Sequence, residues 1–299
     1  MLTTAPSPTR ADVRVRPIEP DDAHAAARIT FEAFAGIHDH HRFARDFPTL
    51  ESAVQLTSAF IAHPSIHGVV AEIDGRVVGS NFLDERGPVR GVGPITVDPA
   101  AQGHGVGRRL MRAVIERGAD GAGIRLLQDA FNVQSLSLYA SLGFDVAEPI
   151  ALMTGRPATA PIAAVEVRPL EAADIPEAER LHRRVHGFER TAELRDALAA
   201  PPLTPTVAIR GDRVVAYATT LTFFPAAYAV AESDTDLLAL IAGTLADSEA
   251  PGSFLVPTRQ TELFRSLLAM GLRVVKPMVY MTIGEYRTPE GAWIPTVLY

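Results

Sequence analysis

The chain has 299 residues, enough for two ordinary domains, and its 47% hydrophobic and 21% charged residues are the balance of a well-cored globular protein. A formal net charge of −7 excludes the basic field that draws a protein to nucleic acid or acidic membranes, and the absence of cysteine excludes disulfides, thiolate catalysis and cysteine-based zinc sites. Neither the start, MLTTAPSPTRADVRVRP, nor any later run has the apolar core of a signal peptide or the roughly 20 apolar residues of a membrane span, so the expected location is the cytoplasm.

In chain order, VRVRP from Val13 alternates as a short strand and leads through an acidic start into an apolar-periodic helix. The segment that follows, FEAFAGIHDHHRFARDFP (31 to 48), reads as an exposed polar loop. IDGRVVGSNFL (73 to 83) is a hairpin whose Asp-Gly turn joins two β-rich runs. GPITV (93 to 97) is a strand, with Gly93-Pro94 marking a bulge or edge because proline cannot donate a ladder hydrogen bond. It runs into VDPAAQGHGVGRRL, which packs three glycines into five positions ahead of a helix beginning near Gly105.

The chain then begins again. VEVRPLEAADIPEAERL from Val165 echoes VRVRPIEPDDAHAAARI from Val13, RGDRVVAYATTL echoes the hairpin, and MGLRVVKPMVYMTIG (270 to 284) echoes LGFDVAEPIALMTG (142 to 155). GRPATAPIA, rich in proline and small residues, reads as the joint, giving domains 12–155 and 165–299 with a linker at 156–164. The echoes lie 152, 137 and 128 positions apart, so about nine residues have gone from the part of the second copy that corresponds to the glycine loop. That part reads AAYAVAESDTDLLALIAGTLADS, with an acidic start and no glycine run.

A glycine-rich turn opening a helix aims backbone amides at an anion, because those N–H groups lack intrahelical partners and the helix dipole favours negative charge there. Two phosphate loops do not fit. A Walker loop needs Gly-Lys-Ser/Thr where Gly107-Arg108-Arg109 stand, and a dinucleotide fingerprint needs G-x-G-x-x-G early in a βαβ unit. Val97-Asp98-Pro99 followed by Gln102-Gly103-His104-Gly105-Val106-Gly107 instead resembles the Gln/Arg-x-x-Gly-x-Gly/Ala signature of the GCN5-related N-acetyltransferase (GNAT) superfamily. Asn132 to Tyr139 and Leu142-Gly143-Phe144 resemble a second signature of that family.

The resemblance implies an α/β fold of two tandem acyl-CoA N-acyltransferase (GNAT) domains, each a mixed twisted sheet flanked by helices. The second would be a degenerate copy that shapes the acceptor site or a dimer interface. It implies an acetyl-CoA site, without metal, made of Ile95, Thr96, Val97, Gln102, Gly103, His104, Gly105, Val106, Gly107 and Asn132, with Tyr139 as the acid that protonates the leaving thiolate. The positions equivalent to Asn132 and Tyr139 in the second copy are Gln260 and Leu267, which predicts one acetyl-CoA per chain. The implied reaction is direct attack of an amine, from a small molecule or a peptide, on the thioester in a ternary complex; the alternative is a non-catalytic acyl-CoA-binding regulatory module. His38, Asp39, His40, His41, Glu32, Asp84 and Glu85 are the candidates for the acceptor side. Almost all the positive charge is arginine, with Lys276 the only lysine, a preference put down to codon bias in a GC-rich genome, and GAWIPTVLY at the chain end is expected to pack rather than fray.

Overall fold

The structure, a computed structural model, describes residues 12–157, 165–200, 203–223, 227–246 and 248–298. The first copy runs β1 (Arg14–Pro17), α1 (Ala23–His41), α2 (Leu50–Ala62), β2 (Ile66–Ile73), β3 (Arg76–Asp84), β4 (Val89–Val92), β5 (Thr96–Val97), α3 (Val106–Arg117), β6 (Gly123–Asp129), α4 (Val133–Ala140) and β7 (Asp145–Gly155). The second runs β8 (Glu166–Pro169), α5 (Ile175–His186), α6 (Thr191–Ala199), β9 (Thr206–Arg210), β10 (Arg213–Thr220), β11 (Tyr228–Ala231), α7 (Asp234–Ala246), β12 (Gly252–Pro257), α8 (Thr261–Ala269), β13 (Arg273–Ile283) and β14 (Ala292–Ile294). Most of the expected linker, 158 to 164, lies outside the described residues.

By contacts the chain divides into two compact units whose borders do not follow the sequence repeat: one holds residues up to His40, Arg45–Phe82 and Pro94–Arg117, the other His41–Ala44, Leu83–Gly93 and everything from Gly118. In the first unit β1, β2 and β3 are successive neighbours and β5 pairs antiparallel with β3. Asp74 and Gly75 both take positive φ, 50° and 74°, the geometry that matches hairpin twist and the reason an Asp-Gly pair stands there. The core is Ala26, Ile29, Val70, Phe82, Leu110, Met111 and Val114. In α3 the buried residues Val106, Leu110, Met111 and Val114 follow helical spacing, and its arginines take the other face.

In the second unit β4 lies parallel to β6, and β6, β13, β7 and β12 continue antiparallel; β14, β11, β10, β9 and β8 form a separate sheet. The last strand of the first copy, β7, is thus sandwiched between two strands of the second. It is buried on both faces: Ala151 and Met153 join a cluster with Phe254 and Val256, while Ile150 and Leu152 join one with Leu255, Met278 and Tyr280.

The duplication extends to side-chain detail. Arg16 holds Asp22 at 2.6 Å and Arg168 holds Asp174 at 2.8 Å, each aspartate closing a capping box with Glu19 or Glu171. The packed chain end is also observed: β14 pairs with β11, and Trp293, Thr296 and Leu298 are buried. Tyr299 lies outside the described residues.

One expectation is corrected. The segment 31–48 is not a loop as a whole, because α1 runs without interruption to His41 and carries Glu32, His38 and His40 as helical residues. The helix continues because Phe34 and His38 are stacked one turn apart and Phe34 packs edge-on against Phe47.

Candidate functional site

Within the first unit the glycine loop is built from β5 outward. Gly79 on β3 lies opposite Val97, and a Cβ there would stand 2.7 Å from the Thr96 carbonyl, so the glycine permits β5 to lie this close. The Thr96 hydroxyl is buried between those of Thr30 and Ser80, at 3.2 and 3.3 Å, which leaves Val97 and Ile95 as the less buried neighbours. β4 ends at Val92 and β5 starts at Thr96, so Gly93, Pro94 and Ile95 interrupt the strand where the sequence placed a bulge or edge. Asp98 then caps the turn, its carboxylate accepting from the Ala100 amide at 2.9 Å.

Gln102, Gly103, His104 and Gly105 are exposed, and Val106 is the first residue of α3. Gly103 and Gly105 sit at φ +82° and +80°, while a Cβ on either would meet nothing within 4 Å. The glycines are therefore required by backbone conformation and not by crowding within the protein. The His104 ring, 3.0 Å from the Gln102 carbonyl, folds back on the loop. The first turn of α3 contains no acidic residue, so no carboxylate of that turn offsets the positive end of its dipole.

Within the second unit, Asn132 is the N-cap of α4 and accepts from the Ser135 amide at 3.1 Å. Tyr139 is buried on the same helix and packs edge-on against Phe144. Burial pushes its phenol up to about 12, the neighbouring Asp129 charge adds to this, and a hydrogen bond with Ser135 opposes it. At neutral pH the group is thus a proton donor and never a base. Asp129 ends β6 and lies 2.7 Å from the ammonium of Lys276, which is fully buried on β13. The single lysine holds a carboxylate beside Tyr139, a role with no sequence signal because 147 positions separate Lys276 from Asp129.

The acceptor-side candidates are mostly engaged. Glu32 pairs with Arg28 at 2.7 Å, and Asp84 with Arg86 at 2.6 Å. Burial raises the Asp84 carboxyl, but Arg86 outweighs it and holds the group below the usual carboxylate range. His38 is fully buried, its Nδ1 2.7 Å from the Phe34 carbonyl and its Nε2 3.5 Å from Asp46. The ring of His41 lies 5.1 Å from that of Phe131.

The second copy answers each of these features differently. The α7 start is closed by its own side chains: Ser233 donates to Asp236 at 2.6 Å, the Asp236 amide returns to the Ser233 hydroxyl, and Arg210 pairs with the same carboxylate. Gln260, at the Asn132 position, grips the backbone of Trp293 through both amide atoms, at 2.8 and 2.9 Å.

Residues 30–144 match the model of the acetyltransferase (GNAT) family. That match lies within the first copy. The chain's fold as a whole is similar to that of a putative acetyltransferase from Pyrococcus horikoshii, at TM-score 0.70 and 15% identity over 98% of this chain and 97% of that one. A GCN5-related N-acetyltransferase from Sphaerobacter thermophilus matches at TM-score 0.64 and 15% identity, over 94% and 99% of the two chains. A tandem GNAT protein from the clavulanic acid biosynthesis pathway matches at TM-score 0.57 and 14% identity, over 91% and 98%. At these identities the likeness establishes the mixed α/β tandem GNAT fold. No curated protein matches the sequence. Among the described residues no helix is long and apolar enough to cross a membrane.

Proposed function

We propose that the first copy transfers the acetyl group of acetyl-CoA to an amine, on a small molecule or a peptide, by direct attack in a ternary complex. The observation that carries this is the α3 start: two glycines at positive φ, open space in front of them, and a helix terminus whose first turn holds no acid. Such a terminus suits the pyrophosphate of a coenzyme and needs no metal to do so. In this reading Ile95 and Val97 offer backbone groups to the pantetheine arm, Gln102 to Gly107 hold the pyrophosphate, and the amide of Asn132, whose oxygen caps α4, keeps its N–H donors for the coenzyme.

The amine nitrogen forms a bond to the acetyl carbon while the carbon–sulfur bond breaks; the amine's proton leaves to solvent or a base and the sulfur acquires one. Tyr139 is the donor to the sulfur. With its phenol near 12, full transfer to a thiolate is uphill, so its contribution is a hydrogen bond that strengthens as charge builds on the leaving sulfur. Positioning of the two reactants supplies the larger share of the rate. We assign domain boundaries at 12–155 and 165–299, with the second copy outside the chemistry.

The test is release of free thiol from acetyl-CoA across a panel of amines, with a thiol reagent as readout. The chain contains no cysteine and gives no background. Turnover with any amine supports transfer; saturable acetyl-CoA binding with no turnover on the whole panel identifies a binding module instead. Calorimetry is expected to return one acetyl-CoA per chain.

A further inference from the structure

A cavity of about 260 Å³ lies within the second unit, lined by aromatic and cationic side chains that no step above uses. Tyr280, Tyr286, Trp293 and Phe188 supply flat walls, and Arg125 the charge. Two polar features of the lining are unfinished. Arg125 is only 5% exposed, and its guanidinium spends its hydrogen bonds on the carbonyls of Ile124, Ile283 and Glu285; among the described residues no carboxylate pairs with it. Trp293 is 2% exposed, and its Nε1–H has no hydrogen-bond acceptor among the described residues. A buried cation without a counter-charge and a buried donor without an acceptor each carry a desolvation cost that an anionic ligand would offset.

The rest of the lining limits what that ligand is. Arg190 and Arg287 stand on the same wall, Arg190 stacked 4.2 Å over the Tyr228 ring, although each also pairs with a glutamate, Glu193 and Glu290. His186 is neutral: burial first, then His182 and these two arginines, hold it well below its ordinary value, which marks the wall as electropositive. Glu285 gives its carbonyl to Arg125 and leaves its side chain exposed. An organic cation is disfavoured in spite of the aromatic walls. The volume falls just under the roughly 300–1,000 Å³ usual for small-molecule sites, room for about one ring and a substituent.

We propose that this cavity binds a small planar carboxylate, its charge taken by Arg125, with the Trp293 indole N–H as a second donor and the tyrosine and tryptophan rings against its flat body. Arginine suits this role because its planar fork matches a carboxylate in two-point contact. The site belongs to the second unit alone and does not depend on the acetyl-transfer reading.

Trp293 is the only tryptophan of the chain, so its emission reports on the cavity directly. The full chain is titrated with benzoate, benzamide and benzylamine, which share a ring and differ in charge. Benzoate is expected to change Trp293 emission saturably, with an affinity about tenfold or more above the other two, the worth of a charge-assisted contact. Arg125→Gln should erase that preference. Since a buried arginine can be needed for folding, Ala122→Phe is the second variant: Ala122 is an exposed lining residue, and the larger ring should block benzoate without a fall in melting temperature. The proposal is overturned by no saturable response to benzoate, by equal affinity for all three compounds, by a preference for benzylamine, or by benzoate binding unaltered in Ala122→Phe.

Discussion

The starts of α3 and α7 descend from the same place in a duplicated sequence and have opposite chemistry. α3 opens through two left-handed glycines onto solvent with no acid in its first turn; α7 opens through Ser233 and Asp236, whose side chains bond to each other while the Ser233 hydroxyl also takes the Asp236 amide. A helix terminus can offer its amides to a ligand or spend them on its own side chains, and the two copies have taken one option each. The same division recurs a few elements later. Asn132 keeps its amide nitrogen while capping α4, whereas Gln260 uses both amide atoms to hold β14 of its own chain. In the second copy the side chains at the corresponding positions bond within their own chain.

The comparison breaks first on catalysis. Tyr139→Phe should lower turnover about 10²-fold or more while acetyl-CoA affinity stays within twofold, since the substitution removes a donor and little shape. Leu267→Tyr, which restores the residue type at the equivalent position of the second copy, should add nothing. Steady-state rates with the best amine of the panel decide both, and an unchanged rate in Tyr139→Phe reduces Tyr139 to packing. Because its phenol is raised to about 12, the Tyr139-dependent part of the rate should be flat from pH 6 to 10.

Next is the loop. Gly105→Asp imports the chemistry of α7 into α3: a carboxylate at the cap should weaken acetyl-CoA binding about 100-fold by like-charge repulsion. Aspartate tolerates the left-handed conformation and caps helices well, so melting should shift by only a few degrees. Gly105→Val, with the same backbone demand and no charge, should cost about 1–3 kcal/mol of loop strain and a smaller loss of affinity. Equal effects of the two would show that conformation alone, and no anion, accounts for the glycine.

Third, Gln260→Ala leaves two buried backbone groups of Trp293 short of partners and should cost about 2–4 kcal/mol, against about 1 kcal/mol for the lost cap in Asn132→Ala. Urea unfolding followed by Trp293 emission measures the difference. A cost for Gln260→Ala no larger than that for Asn132→Ala would mean β14 is held by its strand pairing alone.

The smallest effect concerns the paired Arg–Asp boxes. Hydrogen bonding from Arg16 and Arg168 depresses Asp22 and Asp174 below the usual carboxylate value, so their contribution to stability is present above about pH 4 and is lost as the pH falls through the folded-state value. Arg16 also holds Glu72 at 2.7 Å, whereas the described pair in the second copy is Arg168 with Asp174 alone. Arg16→Gln should therefore destabilise more than Arg168→Gln, both within about 1 kcal/mol because the pairs are partly exposed. Thermal melts at pH 7 and pH 3 test this, and the gap between wild type and either variant should close at the lower pH.

What the sequence by itself determined about this protein is whatever is encoded within a short window. The Asp74-Gly75 turn, the positive-φ glycines at 103 and 105, the Arg-Pro strands with their capping boxes and the apolar chain end are each local agreements between residue type and backbone conformation, and a duplicated pattern doubles their weight. The extent of α1 was not legible, because Phe34 and His38 extend the helix through packing on Phe47 and a polar run of histidines carries no such signal. Only the tertiary structure decided that Lys276 finds Asp129, that Gln260 finds Trp293, and that Arg125 is buried among aromatic side chains with backbone carbonyls as its partners. Those outcomes depend on which strands become neighbours, and β13 lies between β6 and β7 only because the sheet of the second unit is assembled from both copies. The physical reason is that a buried charge is defined by the groups that replace its water, and these arrive from distant parts of the chain.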